Sequence, residues 1–182
     1  MNEQLEFIKE IARRLDNACI PYMLTGSLAM AVYAVPRMTR DIDVVVELEP
    51  KDVKRFSSLF SGDCYVDENM VRDAISSRTM FNVIHNQWIV KADFIVRKDD
   101  PYHEGEFTRR NHIDIEGTRV AIVAPEDLIL SKLVWAKESQ SELQTRDVGQ
   151  LIRGVKDLDW QYLERWAGTL RVAKDLGRLR SA

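Results

Sequence analysis

Two aspartates at alternate positions open a run of β-branched residues. The segment is Asp41-Ile42-Asp43-Val44-Val45-Val46, and its composition is typical of a β-strand. Because side chains alternate along a strand, the carboxylates of Asp41 and Asp43 are expected to lie on the same face. Neighbouring carboxylates repel each other, and one tends to take up a proton unless a divalent cation lies between them. Oxygen ligands of this kind suit Mg²⁺, with Mn²⁺ as the alternative ion.

A short turn upstream of these acids could bind an anion. Gly26 and Ser27 lie between an apolar run at 22–24, predicted to be a strand, and residues 28–33, predicted to be a helix. The unpaired N–H groups and the positive dipole end at the start of a helix favour a phosphate chain such as a nucleoside triphosphate. The alternative is a simple helix cap, since glycine and serine are favoured there in any case.

A third acid lies inside an otherwise apolar strand. Asp93 follows Ala92 and precedes Phe94, and a buried carboxylate needs a partner. If this strand pairs beside that of Asp41 and Asp43, three carboxylates can support two-metal phosphoryl transfer. Each element alone has a structural explanation, because an Asp-x-Asp pair is more often a solvated strand edge. The combination of a glycine-serine turn, paired acids and a third acid favours a site.

Basic residues near these acids could hold phosphate. Arg37 and Arg40 precede the paired aspartates, and the arginine fork suits phosphate, although Arg40 could equally balance the two acids. Lys132 could reach a phosphate, or it could be an ordinary exposed lysine. An ordinary surface ion pair is favoured for Arg146 and Asp147.

The elements that must position these residues follow from hydrophobic periodicity. An amphipathic helix is predicted over 2–16, and Pro50 opens a helix through Phe60. Further predictions are a helix over 67–77, strands over 80–85 and 88–96 joined at Asn86-Gln87, and a hairpin of 112–115 with 118–123. From Pro125 onward the pattern is helical. The predicted fold is α/β (α+β), a mixed β-sheet flanked by helices, with residues 1–123 as the sheet domain and 124–182 as a helical portion packed on it as one unit.

Composition excludes several classes of protein. The 182 residues are 45% apolar and 30% charged, as in ordinary globular proteins. No apolar run approaches the roughly 20 residues of a membrane helix, and the amphipathic start differs from a signal peptide, so no membrane partner and a cytoplasmic location are expected. The net charge of −3 argues against a protein whose whole surface binds nucleic acid. The two cysteines have no metal-ligand spacing.

Residues 24–46, LTGSLAMAVYAVPRMTRDIDVVV, resemble the core motif of the DNA polymerase β-type nucleotidyltransferases. The Pro-Arg-x-Thr-x-Asp-Ile-Asp run and the later APEDLILSKLVWA are similar to minimal nucleotidyltransferases related to AbiEii toxins of toxin–antitoxin systems. The resemblance implies a nucleotidyltransferase-like sheet, Mg²⁺, an NTP substrate and pyrophosphate release. It also implies Asp41 and Asp43 as metal ligands, and Asp93 as third ligand or base. Many relatives have Gly-Gly where this chain has Gly26-Ser27, and their spacing to the third acid varies.

Three functions are compatible with these patterns. The first is an enzyme that transfers NMP from NTP to an RNA 3′ end or a protein hydroxyl, with a cognate toxin or antitoxin as a further partner. The second is a catalytically inactive module of the same fold that binds a nucleotide or partner protein; the intact acids argue against it. The third, a purely structural domain, leaves the joint pattern unexplained.

Overall fold

The structure of the protein is a computed structural model. This structure describes residues 3–35, 39 and 41–181. The predicted phosphate ligands Arg37 and Arg40 lie outside the described residues.

Within the described residues, seven strands form one mixed sheet in the order β3-β4-β5-β2-β1-β7-β6. The strands are β1 Tyr22–Thr25, β2 Ile42–Val46, β3 Cys64–Tyr65, β4 Met80–His85, β5 Val90–Val96, β6 Asn111–Ile115 and β7 Thr118–Ile122. β2 runs antiparallel to β1 and parallel to β5. The predicted neighbourhood of the two acid-bearing strands is therefore confirmed.

Helices cover the sheet and extend beyond it. They are α1 Glu3–Asn17, α2 Gly26–Tyr33, α3 Val53–Phe60, α4 Glu68–Ser77, α5 Pro101–Thr108, α6 Pro125–Ser139, α7 Glu142–Gly154, α8 Trp160–Thr169 and α9 Ala173–Arg180, with a 3₁₀ turn at Pro50–Asp52. The predicted mixed α/β fold is confirmed. α2 contacts both α6 and α7, so the C-terminal helices pack on the sheet region. The division after Val123 stays a prediction.

An aromatic cluster anchors one face of the sheet. Phe56 and Phe60 of α3 pack on Phe94 of β5 and, through Phe56, on Phe81 of β4, with ring centroids 5.0–5.6 Å apart. All four rings are at most 1% exposed. Rings at this spacing combine large apolar burial with favourable edge contacts. Because side chains alternate along the strands, this packing commits the intervening positions to the opposite face.

Two local predictions need correction, and a third is confirmed. Asp41 lies before β2 rather than in it, since the strand begins at Ile42. Trp88 and Ile89 form part of a four-residue turn between β4 and β5 rather than the start of a strand. Ile89 has φ +53° and its N–H donates to the carbonyl of His85, a geometry that closes a turn. The hairpin across Glu116-Gly117 is confirmed, with positive φ at both residues.

The helix α5 was not predicted from the sequence. It begins where the Asp100 carboxylate accepts hydrogen bonds from the N–H groups of Tyr102 and His103, with Pro101 at the first helical position. Both are ordinary helix-start signals. The helix places Glu106 on the inner side of the protein, next to the sheet.

Candidate active site

A row of polar side chains crosses four adjacent strands on the face opposite the aromatic cluster. The register sets Thr25 opposite Asp43, Asp43 opposite Asp93, and Asp93 opposite Asn82. Directly opposed residues in neighbouring strands have side chains close enough to interact. The fold therefore brings Asp43 and Asp93 together, although 49 positions separate them in the chain.

The three predicted acids differ in their exposure. Asp93 is 6% exposed, Asp43 is partly buried, and the Asp41 side chain is 58% exposed at the rim. Burial, followed by the negative charges of Asp93 and Asp41, raises the pKa of Asp43 to about 6. A cation at this position would relieve both causes of the shift.

Lys91 was missed by the sequence analysis and lies among these acids. Its ammonium group donates to Asp93 Oδ2 at 2.8 Å and lies 3.6 Å from Asp41 Oδ1. The hydrogen bond to Asp93 raises the pKa of Lys91. Asn82 also donates to the Asp93 carboxylate. The signal that could have found Lys91 is its position two residues before Asp93, which places both side chains on one strand face.

The start of α2 meets this row directly. Gly26 has φ +66°, and a Cβ there would lie 2.7 Å from Asp43 Cγ and 2.9 Å from its Cβ. Such distances are too short for any side chain, so glycine lets the turn lie against the carboxylate. Ser27 is buried in the first turn of α2. Gly26 is thus in contact with Asp43. Ser27 is the next residue of α2.

Lys132 is part of the site region but is not an exposed lysine. It is 2% exposed and donates to Asp147 Oδ2 at 2.8 Å and Gln144 Oε1 at 2.9 Å. Asp147, expected in a surface ion pair with Arg146, is itself 2% exposed. That expectation was wrong because the pairing of α6 with α7 turns Asp147 toward Lys132. A buried ammonium requires such a carboxylate partner.

Asp41, Asp43 and Asp93 are together called the carboxylate row. A cavity of about 220 Å³ adjoins this row at Asp43. Its floor is the strand face at Val45 and Ile95, and Gly26 and Asp43 lie at one end. The remaining lining comes from helices α5 and α6 and the segment between β5 and α5: Arg97, Lys98, His103, Glu106, Leu128, Ser131, Lys132 and Trp135. The cavity was not predicted, because α5 was not.

The carboxylate row has the hard oxygen donors that Mg²⁺ prefers. The oxygens of Asp41, Asp43 and Asp93 are not gathered into one compact cluster. Within residues 3–35, 39 and 41–181, the compact group of three that could hold an ion is Glu10, Asp63 and His85. That group lies on the other face of the sheet, where His85 contacts Phe7.

Arg14 already satisfies the acids of this second group. Its guanidinium donates to Asp63 and, at 3.0 Å, to Glu10 Oε2. Lys91 has the corresponding position between Asp41 and Asp93 in the carboxylate row. Lys91 pairs with Asp41 and Asp93, whereas the pKa of Asp43 is raised, first by burial and then by the charges of those two acids.

Comparisons with known proteins identify the class of fold. Neither the protein-family models nor the curated protein sequences give a match. Among solved structures, an antigenic nucleotidyltransferase-like protein from Paracoccidioides brasiliensis is similar with a TM-score of 0.65 and 17% identity, covering 100% of this chain and 94% of that one. The protein thus has a nucleotidyltransferase-like fold.

Two further similar structures carry antibiotics or their products. ANT(2″)-Ia in complex with adenylyl-2″-tobramycin has a TM-score of 0.54 and 15% identity, covering 98% of this chain and 97% of that one. The lincosamide antibiotic adenylyltransferase LnuA, with lincomycin bound, has a TM-score of 0.53 and 12% identity, covering 83% and 96%. At these identities the likeness shows the fold. The nearer resemblance to AbiEii-related enzymes stays a prediction.

No helix in the described ranges combines the length and apolar character needed to cross a membrane.

Proposed function

We propose that the protein is a Mg²⁺-dependent nucleotidyltransferase that transfers a nucleoside monophosphate from an NTP to a hydroxyl group and releases pyrophosphate. The observation that carries the proposal is the opposition of Asp43 and Asp93 in adjacent strands, with the Gly26 turn against Asp43. This arrangement combines carboxylates for a cation with backbone donors for a phosphate chain.

Asp41, Asp43 and Asp93 would hold the divalent ion. When bound, the ion supplies charge neutralisation for the transferring phosphoryl group and the departing pyrophosphate. The N–H groups at the start of α2, at Gly26 and Ser27, are suited to the triphosphate because they meet the positive end of the helix dipole. Lys132 adds a buried positive charge at the same end of the cavity.

Asp93 would serve either as the third ligand to the ion or as the base that accepts the proton of the acceptor hydroxyl. It is buried, and two donors, Lys91 and Asn82, hold its carboxylate in one orientation. A carboxylate held in this way keeps its oxygens directed along the face where the row lies. Lys91 also limits repulsion between Asp93 and Asp41, so it acts as a positioning residue for the acids.

The acceptor proposed from the sequence is an RNA 3′ end or a protein hydroxyl, within a toxin–antitoxin pair. A hydroxyl on a small molecule is a second candidate. It is favoured by the similarity of nearly the whole chain to ANT(2″)-Ia, whose structure holds an adenylylated tobramycin. LnuA, whose structure holds lincomycin, is similar over 83% of this chain. A module that binds nucleotide without turnover is a third candidate, and the complete set of acids argues against it.

The test is label transfer from each of the four α-labelled NTPs with Mg²⁺. The acceptors are total RNA, a protein extract and a panel of aminoglycosides and lincosamides. We expect the wild type to label one class, and an Asp41→Ala/Asp43→Ala variant to label none. Asp157→Asn is the matched control, because Asp157 is exposed in the loop before α8 and remote in sequence from the row.

The outcomes separate the candidates. Labelled RNA or protein would support the acceptor proposed from the sequence, and a labelled antibiotic would support the small-molecule hydroxyl. If nothing is labelled, binding of NTP with Mg²⁺ is measured by calorimetry. If the protein binds NTP but transfers no label to any acceptor, the non-catalytic module is favoured. If it does not bind NTP, the proposed site is rejected.

A further inference from the structure

Glu106 is a buried carboxyl group without a partner at the edge of the cavity. It is 5% exposed and lines the cavity from α5. No side chain or backbone donor in the described part of the chain forms a hydrogen bond with it. The Glu106 oxygens are not among the fully enclosed side-chain atoms that lack a partner in the described residues, so they reach the cavity, where a ligand can contact them.

The cavity runs from the carboxylate row toward Glu106. Gly26 and Asp43 lie at one end, and Arg97 and Glu106 line it further along. Arg97 comes four residues after Asp93, which lies opposite Asp43, so the cavity extends about 13 Å along the strands at about 3.3 Å per residue. A ligand that starts at the reaction centre can therefore reach Glu106.

The cavity lies on the phosphate side of the proposed reaction. Its lining includes Gly26 and Lys132, the groups suited to phosphate. Asp93, the proposed base for the acceptor, and its partner Lys91 are absent from the described lining. The part of the substrate that enters this cavity is thus joined to the nucleotide rather than to the acceptor.

We propose that this cavity binds the nucleobase of the NTP and that Glu106 forms a hydrogen bond with the base edge; the inference rests on the proposed nucleotidyl transfer. A base is flat and apolar on its faces, which matches the aliphatic floor of Val45 and Ile95. Its edge carries N–H and C=O groups that a carboxyl group recognises. The cavity volume of about 220 Å³ suits a group of this size rather than a large acceptor.

The electrostatics of Glu106 are compatible with an anionic substrate. Burial, followed by the charges of Asp127 and Asp100, raises the pKa of Glu106 to about 8, while Lys98 lowers it. His103, whose pKa is lowered by burial, also faces the cavity. At neutral pH Glu106 is mainly uncharged, so it both donates and accepts hydrogen bonds without repelling a triphosphate.

The experiment compares the binding of each NTP with that of ribose 5-triphosphate, which lacks the base. Calorimetry with Mg²⁺ is performed on the wild type, Glu106→Gln, Glu106→Met and Glu104→Gln. Glu104 is exposed on the same helix and provides the matched control. Glu106→Met removes an unpaired buried polar group, so it is expected to fold, which its melting temperature verifies.

We expect the wild type to bind at least one NTP about tenfold more tightly than ribose 5-triphosphate, as one good base contact provides. Glu106→Met should lose most of this difference, whereas Glu106→Gln and Glu104→Gln should keep it. A difference that survives in Glu106→Met, or one that the control Glu104→Gln loses to the same extent, would overturn the inference. If neither triphosphate binds the wild type, the proposed function itself fails.

Discussion

Glu106→Gln is expected to raise the stability of the protein at alkaline pH but much less at acidic pH. The carboxyl group of Glu106 has a pKa raised from 4.5 to about 8 in the folded protein, mainly by burial. The folded state therefore binds more protons than the unfolded state between these two values. Linkage then requires the free energy of unfolding of the wild type to fall as the pH rises from about 4.5 to about 8. Glutamine has no such titration.

The pKa values of 4.5 and about 8 determine how much the unfolding free energy changes with pH. Between pH 5 and pH 8 the wild type loses about 3–4 kcal/mol of unfolding free energy relative to Glu106→Gln. For a chain of this size, each kcal/mol shifts the melting temperature by about 2–4 °C, so the difference in Tm grows by roughly 10 °C. Other titrating groups are shared by the two proteins and largely cancel in the comparison.

The assay is thermal unfolding followed by circular dichroism at several pH values from 5 to 8, without nucleotide. Glu104→Gln, which changes an exposed carboxylate on the same helix, is the control and should follow the wild type. A Tm difference between wild type and Glu106→Gln that stays constant over this range would refute the argument. It would mean that Glu106 is ionised and solvated at neutral pH.

Three further predictions concern the site and its support. Gly26→Ala should abolish the binding of Mg²⁺-NTP measured by calorimetry. The added Cβ collides with the Asp43 side chain, and the φ of +66° is unfavourable for alanine. Binding equal to that of the wild type would show that the contact is not required. Arg109→Ala should lower the unfolding free energy measured in urea titrations by about 3 kcal/mol. The fully buried Asp127 would lose the charged partner that lies 3.2 Å from its carboxylate. A loss below about 1 kcal/mol would contradict a structural role for this ion pair. EDTA should eliminate label transfer and excess Mg²⁺ should restore it, whereas transfer that persists in EDTA would exclude the proposed metal.

The sequence predicts which side chains share a strand face better than it predicts which strands pair. Alternation along β2 and β5 is a local property, so it shows which side chains share a strand face. The opposition of Asp43 and Asp93 depends on which strands pair and in which register. That pairing joins residues far apart in the chain, and it is set by the packing of the apolar face, where Phe94 contacts Phe56.

The environments of Glu106 and Lys132, which the sequence did not predict, share one physical cause. Glu106 lies on α5, whose short sequence PYHEGEFT has no clear apolar stripe at helical spacing, although Asp100 and Pro101 signal its start. Lys132 resembles an exposed lysine until α7 supplies Asp147 and Gln144. In both cases the environment of the side chain comes from a distant element, and periodicity carries no information about such elements.

The placement of charge bears on how the proposed site would accept a tetra-anionic nucleotide beside three carboxylates. Lys91 offsets Asp41 and Asp93 at the rim, and burial holds the pKa of Asp43 at about 6. Lys132 lies at the phosphate end, but Asp147 and Gln144 already engage its ammonium group. In the proposed function, a cation that arrives with the nucleotide would neutralise the negative charge that these lysines leave on the acids. Nucleotide and metal are therefore expected to bind together more tightly than either binds alone.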